Sequence, residues 1–580
     1  MCGIVGYIGK KKNIKWIVEI LKKLEYRGYD SAGIAVHKGE KINVIKEVGE
    51  IDNLLKVLPE DMAENAIAHT RWATHGKPCR ENAHPHQSSL EKWTIVHNGI
   101  IENSDILKNT LNLQLMSETD TEVLVHHIEK YCQIADIRHF IHAFNCVQGA
   151  YAVVCQCSET PESLYLAKNK SPLYVAVGAS GVLVASDPIC FYNFSDFYYS
   201  MQDFTFALVT KQGVKFYDQK GKLIHLTPQK IDSFDYETDK KDFPHFMIKE
   251  IFEQPKVLKR QVEAFKRTQC LRALDNILDN INQVVLIGSG TAFHAAMVGK
   301  GFFEEILNIN AKVVVASEFD IGTHLMAENV LFVIVSQSGE TADALIAQQK
   351  ILDCGGKVLA VTNIISSTLA KNSSFVLPIF AGREIAVAST KAYVCQISSL
   401  YLLVRHLEGK FEEKAYEDVC DVANKILSFD KRVLDNLAEK LALANFTMFI
   451  GKHQDYVTAK ESALKLQEIT YIPALSLYAG ELKHGYLAVV TNGVQVFVFA
   501  TNEKDLLAAE NAAHEIMARG GEVVLVSTVN QSSIKLSNAC TFLMPIISIV
   551  PMQYLAYKVS IHKELNPDKP RNLAKSVTVA

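Results

Sequence analysis

The sequence predicts an α+β domain built on antiparallel sheets, followed by two copies of an α/β domain with a parallel sheet. Three observations carry this. Up to about residue 240, short alternating runs such as "YAVVCQC", "LYVAVG" and "GVLVAS" are separated by Gly, Ser, Asp and Pro turns, the period-two pattern of strands. Beyond that point apolar strands alternate with amphipathic helices, which is the pattern of a parallel sheet. This second half also repeats itself: "KILDCGGKVLAVTN" (350–363) aligns with "EIMARGGEVVLVST" (515–528), Gly355 falling on Gly520 at an offset of 165. "LFVIVS" (331–336) matches "VQVFVFA" (494–500), and "VVLIGSG" (284–290) matches "TMFIGKH" (447–453). Three strand–turn units recurring in one order indicate a duplicated domain.

Taken in order, "MCGIVGYIG" is a first strand, and residues 119–133 read as a helix. The stretch "FDYETDKKDFPHFMIKEIFEQP", charged and then aromatic up to Pro255, reads as a linker feeding a helix. We divide the 580 residues into a first domain 2–238, a linker 239–265, α/β domains 266–425 and 426–565, and a tail 566–580, in line with a length that predicts roughly three to four domains. "TFLMPIISIVPMQYLAYKVS" (541–560) is long enough to span a membrane. Pro545 and Pro551 interrupt it, and with Ser548 and Gln553 it reads as a buried strand running into a buried helix.

Composition excludes several classes. The chain is 48% hydrophobic and 21% charged, and Lys+Arg 60 against Asp+Glu 64 leaves a net charge of -4. That balance excludes an electrostatically driven nucleic-acid binder. Twelve cysteines form no CxxC pair and no His/Cys cluster at metal spacing. Reduced thiols and no secretory leader predict a soluble cytoplasmic protein with no membrane and no nucleic-acid partner.

In the second half, "VIVSQSGETADAL" (333–345) is a strand entering a turn with Ser336, Gln337, Ser338 and Thr341 ahead of a helix. N-capping alone explains one hydroxyl; three hydroxyls and an amide at a helix N-terminus suit a phosphate dianion. Neither glycine turn matches G-x-x-x-x-G-K-[ST], so a sugar phosphate is favoured over a nucleotide. The second copy, "AKESALKLQEITYIPALSLYAGELKHGYLAVV", lacks such a loop but carries Lys465 and Glu468 on one helical turn, then Lys483 and His484. Lys575 is the only ionisable group beyond Arg571, in an apolar tail that reads as packed.

In the first half, Cys2 becomes the chain terminus if Met1 is trimmed, and the α-amine then lies beside the thiol as a base. The motifs "YRGYDSAG", "AHTRWATHGKP", "NAHPH…VHNGIIEN" and "SETDTEV" add groups in loops. Arg71 can fork a carboxylate and Asp120 can hold an ammonium, the two ends of an α-amino acid. Asn98 with the Gly99 N–H suits an oxyanion. With a terminal thiol, this composes a glutamine amidohydrolase, and Gly3 reads as room for glutamine to approach.

The whole chain resembles the isomerising glutamine–fructose-6-phosphate aminotransferases. The resemblance runs from "MCGIVGYIG", "YRGYDSAG", "HTRWATHG", "HNGIIEN" and "SETDTE" to "SQSGETADA", "EIAVASTKA", "AGELKHG" and "PRNLAKSVTV". It implies an N-terminal-nucleophile αββα sandwich glutaminase followed by two SIS domains. It also implies amination and isomerisation of fructose 6-phosphate to glucosamine 6-phosphate, the first step of amino-sugar synthesis, in a homodimer with no metal or organic cofactor. By position, Cys2 would attack glutamine, with Asn98 and Gly99 holding the oxyanion. Arg71, Trp72, Thr74, His75 and Asp120 would bind glutamine or close over it. Ser336, Gln337, Ser338, Thr341, Thr291, Val387 and Ser389 would hold fructose 6-phosphate. His484 would open the ring, Lys575 would form an imine, Glu468 would move the C1–C2 proton, and Lys465 would stabilise charge.

The chain departs from the family pattern at the first SIS turn, where Cys-Gly-Thr-Ser is replaced by "SGTA" (Ser289 to Ala292), and at Tyr486 after "KHG". Two alternatives are another glutaminase-coupled sugar-phosphate aminotransferase and a non-catalytic sugar-phosphate sensor.

Overall fold

The computed structural model describes residues 2–72, 76–111, 115–231, 240–324, 329–409 and 412–577. They form two compact units, residues 1–238 and 239–578.

The first unit stacks two antiparallel sheets, of eight and seven strands, between two layers of helix. Side-chain alternation along each strand builds the layers. Along Gly3–Asn13, Ile4 and Ile8 join Ile67, Val96, Val154 and Leu164 in the core between the sheets. Val5 and Tyr7 of the same strand face outward onto Ile17, Val18 and Leu21 of the helix Ile14–Lys22. On the far side, Leu124 and Ile128 of the helix Asp120–Tyr131 pack on Ile95, Val153 and Cys155 of the second sheet. That helix, expected over 119–133, is capped by Thr119, whose side chain accepts the Glu122 N–H. The result is the αββα sandwich.

In the second unit two parallel five-stranded sheets share one strand order. The first runs Asn310–Val315, Gln283–Gly288, Val330–Ser336, Lys357–Thr362, Phe375–Pro378. The second runs Ala474–Tyr478, Thr447–Gly451, Gln495–Ala500, Glu522–Ser527, Ile534–Lys535. Both therefore place the first strand second, the order whose switch point opens a crevice at the carboxyl ends. The turn after the first strand is the same in both copies: Gly290 has φ 54°, ψ −127° and His453 has φ 51°, ψ −123°. The repeat read from the sequence is a repeat of fold. The copies differ at this edge. In the second, the buried Asp455 carboxylate accepts from the Thr501 N–H at 2.8 Å and its hydroxyl at 2.7 Å, and burial pushes it up to about 6. In the second copy this turn is thus held by a carboxylate of the chain itself.

From Phe246 onward the segment 239–265 is helix, Phe246–Thr268, with Met247, Ile251, Leu258 and Phe265 in the core of this unit. The stretch 541–560 holds no strand, contrary to expectation. After a turn at Thr541–Leu543 it is one helix, Met544–His562, because Pro545 falls in the first turn, where a missing N–H leaves no bond unmade. This helix is long and apolar enough to cross a membrane, but 89% of its most apolar window is buried inside the protein.

Candidate active sites

The site of the first unit grows out of the strand alternation. Cys2 continues the inward row of Ile4, His69 and Arg71 continue that of Ile67, and Asn98 continues that of Val96. Each apolar row facing the opposite sheet thus ends in a polar group, and the rows end together. Gly3 pairs with Thr70, which brings Cys2 beside Arg71 and Trp72. The Trp72 N–H donates to Cys2 Sγ at 3.2 Å, and the Asn98 amide donates to the Cys2 carbonyl at 2.9 Å. Burial pushes the Cys2 thiol up, against the Trp72 N–H and Arg71. The resting group is therefore a thiol that needs a base at the moment of attack.

Two glycines are dictated here. Gly99 has φ +133°, and a Cβ there would lie 1.9 Å from the Ala150 carbonyl oxygen, so no other residue fits. A Cβ on Gly3 would stand 2.7 Å from Leu24 Cβ and 2.8 Å from Thr70 Cγ2. Gly3 is small for packing against Leu24 and Thr70.

Arg71 is buried, which lowers its pKa against the pull of Cys2, Asp30 and Asp120. Asp120 opens its helix and accepts the Ile101 N–H at 2.8 Å. The structure thus brings Cys2, Arg71, Trp72, Asn98, Gly99 and Asp120 together. Thr74 and His75 lie outside the described residues. His69, quoted in a motif but given no role, orients Asn98. Its Nε2 lies 3.0 Å from the His97 carbonyl and 3.1 Å from Asn98 Oδ1, two acceptors, so it carries the hydrogen. Burial pushes its pKa down to about 3. The ring stays neutral, and the Asn98 NH2 is turned towards Cys2.

The site of the second unit is a cavity of about 280 Å3 at the carboxyl edge of the first parallel sheet. Ser336, Gln337, Ser338 and Thr341 line it with Thr291, and Val387 and Ser389 complete that side. Ser336 Oγ lies 3.2 Å from Thr341 Oγ1 and accepts the Gly339 N–H at 3.1 Å. The tail forms part of the cavity wall: Ser576 Oγ meets Ser338 Oγ at 2.9 Å and the Ala342 N–H donates to the Val577 carbonyl at 3.0 Å.

The second copy contributes Lys465 and Glu468 from the helix Gln454–Thr470. Lys465 is fully buried and lies 2.6 Å from Glu468 and 3.5 Å from Glu461. Burial works against its ammonium, but Glu468 and Glu461 outweigh this and hold its pKa above the usual lysine value. Glu461 in turn accepts from Thr291 at 3.0 Å and lies 2.6 Å from His294 Nδ1, tying the two copies together. Its place in the stripe 461, 465, 468 was visible as helical spacing. Lys575 lines the cavity and makes a close ion pair with Glu384, which also accepts N–H bonds from Thr390 and Ala392 at 2.8 and 3.0 Å. Glu384 sits in the quoted "EIAVASTKA", but its partner is 191 residues away. His484 is not among the cavity residues; it stands exposed after the turn Ala479–Glu481.

Glu384 and the buried Glu250 form a pair with opposite titration. Burial works against Glu384, yet Lys575 and the N–H donors hold it down at about 2. Burial and Glu384 push Glu250 up to about 8, so it is protonated at neutral pH. Between pH 4.5 and about 8 the unfolded chain has released this proton and the native state keeps it, so stability falls as pH rises through that window. Glu250→Gln keeps the shape and removes the titration. Its Tm is expected to exceed wild type by roughly 2–6 °C at pH 8.5, following a penalty of about 1–3 kcal/mol, with the gap closing by about pH 5. Thermal scans across pH check this.

A family model described as a SIS domain matches residues 277–405 and 440–563, and one described as a glutamine amidotransferase domain matches 69–193. The chain is 40% identical over 603 residues to the glutamine–fructose-6-phosphate aminotransferase (isomerising) of Oceanobacillus iheyensis, covering all of both chains. It is 38% identical over 600 residues to that of Listeria monocytogenes, again covering all of both. The solved C-terminal domain of glucosamine-fructose-6-phosphate aminotransferase from Francisella tularensis superposes with TM-score 0.52 at 29% identity, covering 57% of this chain and all of that one. A buried thiol beside a guanidinium and a carboxylate, a hydroxyl-lined cavity in a duplicated α/β unit, and full-length relatives at this identity agree: the chain belongs to the glutamine–fructose-6-phosphate aminotransferase (isomerising) family.

Proposed function

We propose a division of labour for this enzyme, which makes glucosamine 6-phosphate and glutamate from fructose 6-phosphate and glutamine. The observation that carries it is the convergence of hydroxyls, the Lys465–Glu468 pair and Lys575 on one cavity. In the first unit Cys2 attacks the glutamine amide, Arg71 and Asp120 grip the amino-acid end, and Asn98 with Gly99 stabilises the oxyanion, releasing ammonia. In the second, Ser336, Gln337, Ser338 and Thr341 take the phosphate. The Lys575 ammonium first gives one proton to solvent; the amine then adds to the C2 carbonyl and loses water to give an imine, from which ammonia displaces it. Glu468 takes the C1 proton and returns it to C2, while the Lys465 ammonium stabilises charge developing on the C1 oxygen. Glu384 holds Lys575 in place.

His484 is exposed in its own chain, as are the apolar side chains Leu475, Tyr478, Tyr486 and Val489 of the same stretch of sequence. We assign it to the ring-opening step of a second copy, in a homodimer whose contact these exposed side chains help to form. A cytoplasmic location is supported by twelve free cysteines and by the buried helix Met544–His562. The test is complementation. Glu468→Gln and His484→Ala chains are each expected to be inactive in synthesis. Co-expressed in equal amounts, they are expected to recover about a quarter of wild-type activity, since half the dimers are hybrids with one intact site of two. No recovery overturns the assignment across copies.

A further inference from the structure

We propose that Ser289 binds substrate: its hydroxyl donates to the phosphate of the bound ketose phosphate, a contact that Ala292 cannot make. The inference rests on reading this cavity as the fructose 6-phosphate site. Ser289 follows the strand Gln283–Gly288, whose parallel neighbour ends at Ser336. Ile287 stands opposite Ile334, so two residues on the register sets Ser289 opposite Ser336. Neighbouring strands lie about 4.8 Å apart, which puts the two hydroxyl-bearing residues side by side at the cavity edge.

Their side chains are employed differently. Ser336 Oγ is engaged by Thr341 and the Gly339 N–H. Ser289 Oγ is buried and has no hydrogen-bond partner among the described residues. The turn does not need it, because the Ala292 N–H already closes on the Ser289 carbonyl at 3.1 Å. A buried hydroxyl left without a partner is costly, and native structures hold few. A second residue lining the same cavity carries such an atom: Gln396, 1% exposed in the helix Lys391–Glu408, whose Oε1 has no partner among the described residues. Two orphaned polar atoms on residues lining one cavity indicate that their partners arrive with the ligand.

The two suit different parts of it. Gln396 Oε1 is an acceptor and fits a sugar hydroxyl. Ser289 can donate, and it precedes the N-terminus of the helix Thr291–Glu305, where backbone N–H groups and the helix dipole favour an anion. Ala292, in the first turn of that helix, lines the cavity without a hydroxyl.

Ser289→Ala is therefore expected to raise KM for fructose 6-phosphate about tenfold or more, as for loss of a hydrogen bond to a charged group. KM for glutamine should stay unchanged. Without ligand the variant should melt no lower than wild type, because an unsatisfied hydroxyl has been removed, while the rise in Tm caused by fructose 6-phosphate should shrink. A merely structural hydroxyl would do the reverse. Ala292→Ser added to Ser289→Ala should restore KM, since it puts a hydroxyl back at the same helix start. KM within twofold of wild type in Ser289→Ala, while Ser336→Ala and Thr341→Val raise it, overturns this inference and leaves the cavity reading standing. If none of the three raises KM, both fall.

Discussion

Cys2→Ala is expected to lower glutamine hydrolysis by about a thousandfold or more, while leaving glucosamine 6-phosphate formation from ammonium salts and fructose 6-phosphate near wild type. On the proposed assignment the thiol is the nucleophile and the surrounding groups serve it. Asn98 already points its NH2 towards the Cys2 backbone because His69 occupies its oxygen, and Arg71 lies within electrostatic reach of the thiol. Removing the sulfur leaves the grip on glutamine and the oxyanion donors in place but takes away the atom that attacks. Bound glutamine should still protect the variant against thermal unfolding. The paired readout is glutamate release and amino-sugar formation with each nitrogen source. Glutamate release at the wild-type rate would sink the assignment.

Glu468→Gln is expected to lower glucosamine 6-phosphate formation by about 10³- to 10⁴-fold, the range for loss of a positioned acid–base group. KM for fructose 6-phosphate should move by a few-fold at most, because the phosphate contacts belong to the other copy of the fold. The glutamine keeps an oxygen for the Lys465 ammonium, now 2.6 Å from the carboxylate, so the helix and the cavity wall should persist. What is lost is the carboxylate proposed to take the C1 proton. Exchange of that proton with solvent deuterium, followed on fructose 6-phosphate without glutamine, should vanish along with synthesis. Borohydride trapping at Lys575 should continue, since imine formation precedes the proton transfer. Exchange at the wild-type rate would assign the proton transfer to another group.

Much of this was legible along the chain. The 165-residue repeat announced two sheets of one strand order, because a duplicated set of strands and turns repeats the same local preferences. Lys465 and Glu468 were placed on one face by helical spacing alone. Cys2, Arg71, Asn98 and Asp120 were recognisable as a set, since few purposes require a thiol, a guanidinium, an amide and a carboxylate in short polar motifs. The stretch 541–560 was misread in part. Two prolines suggested a break, whereas one sits in a helix's first turn and the helix Met544–His562 runs on past the other, Pro551.

What remained hidden depends on neighbours in space. Glu384 meets Lys575 across 191 residues, and Glu461 meets His294 across 167. His69 looked like one more histidine until burial made it neutral and two acceptors fixed its proton. By itself the sequence determined the periodicities, the duplication, the residue types of both sites and their order, because each follows from local propensity and chain spacing. Only the tertiary structure decided that Lys465 is buried between two carboxylates, that Glu250 keeps its proton, that the tail lines the cavity of the first copy and that Ser289 has an unused hydroxyl. Desolvation and Coulomb energies are set by what packs against a group, and a linear chain does not carry that information residue by residue.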